Sequence, residues 1–101
     1  MQATVSKDGK KAVIKLNGRF DFNAHREFRT AYDPLIADPA VGVVSVDFSS
    51  VDYLDSSALG MLLMLRDKLG GAGKEVTLVN VKGSVKQVLD IANFGKLFQI
   101  S

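Results

Sequence analysis

The chain has 101 residues, a formal net charge of +2 at pH 7, no cysteine and one histidine, His25. A chain of this length typically forms one domain around one core, so residues 1–101 are expected to be a single domain. The lack of cysteine excludes disulfides and thiolate metal sites, and a single histidine excludes a multi-histidine metal centre within the chain. The weak, dispersed charge does not indicate nucleic-acid binding.

Membrane and export signals are also absent from the sequence. No apolar run reaches the length of a membrane helix, and Met1–Thr4 does not begin a signal peptide. We therefore expect a soluble, cytoplasmic protein without membrane contact.

The first part of the chain predicts an antiparallel hairpin. Apolar and polar residues alternate over Lys11–Asn17, as on a pleated strand, and Thr4–Ser6 reads as a shorter strand before it. Asp8-Gly9 lies between them and favours a tight turn, because both residues tolerate positive φ.

A helix is expected next. The chain leaves the sheet over Gly18–Asn23, where either Asp21 or Asn23 can cap the helix that follows. Pro34 predicts that this helix ends near Asp33, because proline cannot donate the backbone hydrogen bond of a helix interior.

The middle of the chain predicts a strand–helix–strand unit. Val41–Phe48 is rich in β-branched residues and reads as a buried strand, followed by a connection over Ser49–Leu54. A helix over Ser56–Leu69 ends in the glycine-rich stretch Gly70–Gly73, and Glu75–Val79 forms the next strand. Such a unit is expected to be a right-handed crossover between parallel strands.

The last part predicts a further helix and a short strand. Ser84 and Gln87 have the spacing of a capping box, the helix extends to Ala92, and Leu97–Ile100 is expected to add a strand. The fold class is therefore α/β, a mixed sheet with an antiparallel N-terminal hairpin, then parallel strands, and helices packed against it.

Ser56 stands where the central strand gives way to the central helix. A hydroxyl at a helix N-terminus can cap the helix, bind a phosphate or carry one, because the backbone N–H groups there lack partners. Asp55 could provide the cap instead and leave Ser56 free. The pattern alone leaves both alternatives open.

The central helix is apolar on two sides. At about 100° per residue, Ala58, Leu62 and Leu65 face the core. The opposite side carries Ser56, Gly60, Leu63, Met64 and Asp67. Apolar residues on this outer side indicate either a protein-docking surface or a face that another helix of the chain covers.

No pattern indicates an enzyme or a cofactor site. Gly71–Lys74 superficially resembles a phosphate loop, but it follows a helix, and Glu75 replaces the required serine or threonine. Ser56 has no histidine near it in sequence, so a hydrolase triad is not indicated. His25 is expected to be a solvated residue of the first helix.

The junction of the central strand and the central helix, together with the segments around it, resembles the STAS-domain family of anti-sigma factor antagonists. The motif Asp55–Gly60 follows the strand Val43–Phe48 and the linker Val51–Leu54. Leu16–Asp21 is similar to the family's second strand and acidic turn, and the likeness continues through Gly70–Val79 and Val85–Phe98. It therefore covers essentially the whole chain.

The resemblance implies a phosphorylation-controlled switch in transcription regulation and signal transduction. Ser56 would be phosphorylated by a serine kinase, usually the anti-sigma factor itself, and restored by a PP2C-type phosphatase. The unphosphorylated protein would bind the anti-sigma factor and free the sigma factor, and phosphorylation would abolish binding. The expected partner-binding residues are Asp21, Asp55, Ser57, Gly60, Leu63 and Met64. The alternative is a non-switching STAS subunit of a transporter or stress-sensing complex.

Overall fold

Five strands form one mixed sheet, side by side in the order in which they occur along the chain. The computed structural model describes residues 1–101. The strands are β1 Gln2–Asp8, β2 Lys11–Phe20, β3 Val43–Leu54, β4 Glu75–Val79 and β5 Gln99–Ile100. The helices are α1 His25–Ile36, α2 Ser56–Gly71 and α3 Gly83–Ile91, with 3₁₀ turns at Phe22–Ala24 and Phe94–Lys96. None of these helices is long and apolar enough to cross a membrane.

Strand pairing confirms the predicted fold class. β1 and β2 are antiparallel, with Asp8 opposite Lys11 across the turn. Every later pair, from β2–β3 to β4–β5, is parallel. The parallel connections are made by the three helices, as the alternation of strand and helix patterns predicts.

The hydrophobic core lies on one face of the sheet. Ile14, Val46 and Leu78 are aligned across three neighbouring strands, and all are fully buried. They share a single apolar cluster with residues from all three helices. On the opposite face, the hydroxyls of Ser45 and Thr77 lie 2.8 Å apart and hydrogen-bond across β3 and β4. The helices are thus held to one side, and the other side is polar.

The central strand is longer than its sequence pattern predicts. Ser49–Leu54, expected as a connection, belongs to β3, and Gly18–Phe20, expected to have left the sheet, pairs with it. Two register shifts, one after Asp47 and one before Tyr53, each place an extra residue in β3. Such bulges interrupt the two-residue alternation, so the pattern does not reveal that the strand continues.

Hydrogen bonds to Asp47 hold the first bulge. Its carboxylate accepts from the Ser49 backbone N–H at 2.8 Å and from the Asn80 side-chain amide at 3.0 Å. Burial raises the pKa of Asp47, but these hydrogen bonds more than offset it and bring the pKa below its ordinary value. The charged form is thus the one that the folded strand stabilises.

Helix ends differ from the predictions at two points. α1 continues to Ile36 and contains Pro34, because proline near the end of a helix removes one hydrogen bond without preventing the final residues from staying helical. Ser84 is not an N-cap: α3 begins at Gly83, with Lys82 before it and no side-chain capping bond. Gly83 adopts φ +58°, a conformation that glycine enters without strain, and the helix starts two residues earlier than the capping box predicts.

Lys74, in the stretch that superficially resembles a phosphate loop, has a structural role. Its ammonium group donates to the backbone carbonyls of Asp38 and Val41, both at 2.6 Å. These bonds join the loop before β3 to the start of β4. The lysine is therefore committed to the fold rather than presented to a nucleotide.

The two sides of α2 are expected to respond differently to truncation. Leu62→Ala should lower the free energy of unfolding by about 2–5 kcal/mol, because Leu62 is fully buried and its loss leaves a cavity. Met64→Ala should change it by no more than about 0.5 kcal/mol, since Met64 is 44% exposed. Urea unfolding of both variants tests this, and equal losses would show that the outer side of α2 is also packed.

Candidate functional site

Asp55, not Ser56, caps the central helix. Asp55 has extended backbone dihedrals, and its Oδ1 accepts from the backbone N–H of Ala58 at 3.1 Å. Ser56 is the first residue of α2, and its side chain is exposed. Of the two alternatives that the sequence left open, the structure therefore has the one in which the Ser56 hydroxyl is not used for capping.

The end of β2 lies beside this junction. Phe20 and Leu54 are register partners, and the Asp55 backbone N–H donates to the Phe20 carbonyl at 3.4 Å. Asp21 and Asp55 thus follow paired residues at the same edge of the sheet, as parallel strands require. Asp21 caps the following 3₁₀ turn by accepting from the Asn23 backbone N–H at 3.0 Å.

A cation lies among the carboxylates of this edge. The Arg19 Cζ lies 4.1 Å from the centroid of the Tyr53 ring, and the Arg19 Nε lies 3.6 Å from Oδ2 of Asp21. Arg19 and Tyr53 are register partners because the second bulge of β3 precedes Tyr53. Neither residue was predicted to belong to the site, since a bulge gives no signal in the hydrophobic pattern.

The outer side of α2 is apolar, but its residues differ in exposure. Met64 and Gly60 are exposed, and a Cβ added at Gly60 would meet nothing within 4 Å. Leu63, expected on the same open surface, is half-buried and packs against the core. Met61 is 7% exposed and belongs to the core. The accessible part of this surface is therefore centred on Gly60 and Met64.

A shallow groove of about 340 Å³ runs beside Met64. Its lining comes from α2 and from the segment at the start of α1, namely Phe22, His25, Ser57, Gly60, Met61 and Met64. Phe22 is 73% exposed, which is unusual for an aromatic side chain in a domain with a well-formed core. We define these six residues as the apolar groove. One of them, Ser57, directly follows Ser56, so the phosphoacceptor candidate is the chain neighbour of a residue that lines the groove.

Phe22 was missed by sequence reasoning. It follows Asp21 and precedes the predicted helix, so it reads as one more apolar residue of a turn. The neighbouring Phe20 offered a signal. Phe20 fills the core at the end of β2, so a second phenylalanine two residues later has no obvious place to be buried. His25, expected to be solvated, is exposed and also contributes to the groove wall.

The arrangement supplies an exposed hydroxyl on a surface that other proteins can reach. The exposed Ser56 hydroxyl has Asp55 on one side in sequence and Ser57 on the other, with Asp21 at the neighbouring strand end. No three His, Cys, Asp or Glu side chains form a group that can hold a metal ion. What the site offers is a hydroxyl beside a groove, accessible to another protein.

Comparison with known proteins assigns the chain to a family. The family model described as Mlab, STAS domain matches residues 3–99. The chain belongs to the STAS-domain family. A STAS-domain containing protein of Pseudomonas aeruginosa (strain UCBPP-PA14) is 48% identical over 99 residues, which cover 98% of this chain and 96% of that protein. The resemblance seen in the sequence is thereby confirmed.

Solved structures share this STAS fold at low identity. The anti-sigma factor antagonist SpoIIAA of Bacillus in its unphosphorylated form has a TM-score of 0.74 at 22% identity, covering 98% of this chain and 86% of that one. A sulfate transporter family protein from Wolinella succinogenes has a TM-score of 0.77 at 15% identity, covering 90% of this chain and 75% of that one. At these identities the likeness establishes the fold of the STAS domain.

The division of roles between Asp55 and Ser56 predicts that their truncation affects stability to different extents. Asp55→Ala should lower the free energy of unfolding by about 1 kcal/mol, because the Ala58 N–H loses its acceptor. Asp55→Asn should retain most of that stability, since asparagine caps equally well. Ser56→Ala should change it by no more than about 0.5 kcal/mol. Thermal or urea unfolding measures all three, and a larger loss in Ser56→Ala than in Asp55→Ala would make serine the cap.

Proposed function

We propose that this STAS domain is an anti-sigma factor antagonist that acts as a phosphorylation-controlled, protein-binding switch in the bacterial cytoplasm. The observation that carries the proposal is the position of Ser56, exposed at the first turn of α2 with its capping role taken by Asp55. A hydroxyl that the fold does not use can gain or lose a phosphate without loss of the helix.

The phosphoryl transfer would be catalysed by the partner. A serine kinase, the anti-sigma factor itself in this proposal, transfers the γ-phosphoryl group of ATP to the Ser56 oxygen, and ADP leaves. The hydroxyl proton goes to a base on the kinase, since the catalytic loop of a protein kinase supplies an aspartate that accepts it. A PP2C-type phosphatase reverses the change by hydrolysis, which releases inorganic phosphate. The domain itself acts as substrate and ligand, not as an enzyme.

Binding would involve the surface around Ser56. The unphosphorylated domain presents the apolar groove, with Asp21, Asp55 and Ser57 near its rim, to the anti-sigma factor and thereby frees the sigma factor. Phosphorylation adds about −1.5 to −2 charges at pH 7 directly beside this surface. Desolvating that charge against a partner is costly, and the neighbouring carboxylates add like charge, so the phosphorylated domain would not bind.

The comparisons support this proposal at the level of fold and name. SpoIIAA is described as an anti-sigma factor antagonist with unphosphorylated and phosphorylated forms. That is the activity we propose for this chain, with Ser56 as its phosphoacceptor. Support for the roles of the individual residues comes from their exposure and capping, not from the likeness.

A second candidate is a non-switching STAS subunit of a transporter or stress-sensing complex. The observation that favours it is the shared fold of the sulfate transporter family protein. Such a subunit would use the same exposed surface of α2 without phosphorylation of Ser56. The state of Ser56 in cells and its effect on binding separate the two candidates.

Substitutions at Ser56 are expected to separate the bound and released states. Ser56→Ala should retain the kinase-like partner of the wild-type protein, because no charge is added at position 56. Ser56→Asp should lose it while the unfolding midpoint changes little, since a helix N-terminus tolerates negative charge. Affinity capture from a lysate of the source bacterium, read by mass spectrometry, tests this together with the intact mass of the native protein.

Ser57→Ala tests whether the neighbouring hydroxyl, which is half-buried rather than exposed, is the phosphoacceptor instead. A phosphate on Ser57 in the native protein would move the switch by one residue. Equal capture of one partner by wild type, Ser56→Ala and Ser56→Asp would establish the non-switching subunit instead.

The apolar groove should contribute to affinity through Met64. Met64→Glu should weaken partner binding by about tenfold or more, as expected for a charge placed in the centre of an interface. Ile91→Glu is the matched control, because Ile91 is 83% exposed on α3. Both variants should keep the wild-type unfolding midpoint. If Ile91→Glu weakens binding as much as Met64→Glu, the groove is not the docking surface.

A further inference from the structure

Two contacts hold Arg19 in place near the C-terminal ends of β2 and β3, the end of the sheet at which Ser56 begins α2. Its guanidinium stacks on Tyr53, with 4.1 Å between Cζ and the ring centroid, and pairs with Asp21 at 3.6 Å between Nε and Oδ2. The side chain of Arg19 is 63% exposed, so a freely moving conformation would cost little. The two contacts instead keep the guanidinium beside the end of β2.

Neither contact uses the hydrogen-bonding capacity of the guanidinium. Stacking on Tyr53 engages the flat face of the group, and 3.6 Å is longer than a hydrogen bond. Arginine has five N–H donors in a planar fork that matches the oxygens of a phosphate. The Arg19 guanidinium is therefore fixed in position while its N–H groups remain available to a further acceptor.

The strand register places Arg19 close to the segment that contains Ser56. Arg19 pairs with Tyr53 in the register, and the next pair, Phe20 and Leu54, is the last of the two strands. Asp55 and Ser56 follow Leu54 directly, and Asp21, which pairs with the guanidinium, follows Phe20 at the same end of the sheet. Besides Tyr53, the other ionisable side chains of these strand ends are the carboxylates Asp21, Asp52 and Asp55.

We propose that Arg19 binds the phosphate of phosphorylated Ser56 and leaves Asp21 when it does so, an inference that rests on the proposed function of Ser56. The phosphate has about twice the charge of the Asp21 carboxylate and offers three acceptor oxygens. It therefore competes successfully for a cation that Asp21 holds without a hydrogen bond.

Phosphorylation would then change this edge at two places. A dianion appears at Ser56, and the carboxylate of Asp21 loses its ion-pair partner. The cap from Asp21 to the Asn23 N–H uses the other oxygen, Oδ1, so the turn that carries Phe22 persists. The surface changes in charge while its backbone stays in place.

The test uses the whole chain with phosphoserine incorporated at position 56 during translation, so no kinase is needed. Phosphorus NMR against pH gives the pKa of the second ionisation of the phosphoserine. In the wild-type background this pKa should be lower by about 0.5 than in Arg19→Gln, because the cation favours the dianion at an exposed site. The Arg19 Nε–H resonance and the Tyr53 ring resonances should also move between the unphosphorylated and phosphorylated proteins.

Arg29→Gln is the matched control, since it removes the same charge from an exposed arginine that pairs with Asp33 on α1. It should leave the phosphoserine pKa at the wild-type value, and Arg19→Lys should lie between wild type and Arg19→Gln. An unchanged pKa in Arg19→Gln, or an equal rise in both glutamine variants, would overturn the proposal. Because phosphoserine is incorporated during translation, the experiment does not depend on phosphorylation in cells. That result would therefore leave the proposed function intact. Conversely, absence of phosphate on Ser56 in cells would leave the Arg19 result unaffected.

Discussion

The parallel pairing of β2 with β3 is the constraint on which the candidate site depends. It continues to Phe20 and Leu54, the last residue of each strand, and the two strands therefore end at one edge of the sheet. Residues more than 30 positions apart in sequence, such as Asp21 and Asp55, become neighbours of the same edge for that reason. Without this pairing, Ser56 would begin a helix with no acidic turn and no groove beside it.

Aspartate follows both strands, and in both places its carboxylate caps the helical segment that comes next. Aspartate is a strong N-cap because a carboxylate oxygen satisfies a backbone N–H and its charge suits the positive end of the helix. The consequence at the second position is chemical. Since Asp55 provides the acceptor, the hydroxyl of Ser56 remains available, and a surface built to keep its backbone fixed still contains one group that can be modified.

The sequence was sufficient where the physics is local and periodic. Alternation over Lys11–Asn17 predicted a strand, and the residue types at the β3–α2 junction predicted the candidate Ser56 with Asp55 as a possible cap. It was insufficient where one residue breaks a period: the bulge before Tyr53 hid the end of β3, and Gly83 shifted the start of α3. The exposure of Phe22 was not predicted. It depends on three-dimensional packing, and the pattern of residues along the chain does not contain that information.

The sheet ends in β5, a strand of only two residues. Ser101 extends the pairing of this strand with β4, since its N–H donates to the Leu78 carbonyl and its carbonyl accepts from the Val81 N–H. On the other edge, β1 carries Lys7, whose ammonium is tied to Asp38. Short edge strands and edge lysines discourage pairing with a foreign strand. A domain that exposes an apolar groove on α2 thus has, on its two edge strands, features that oppose pairing with a foreign strand.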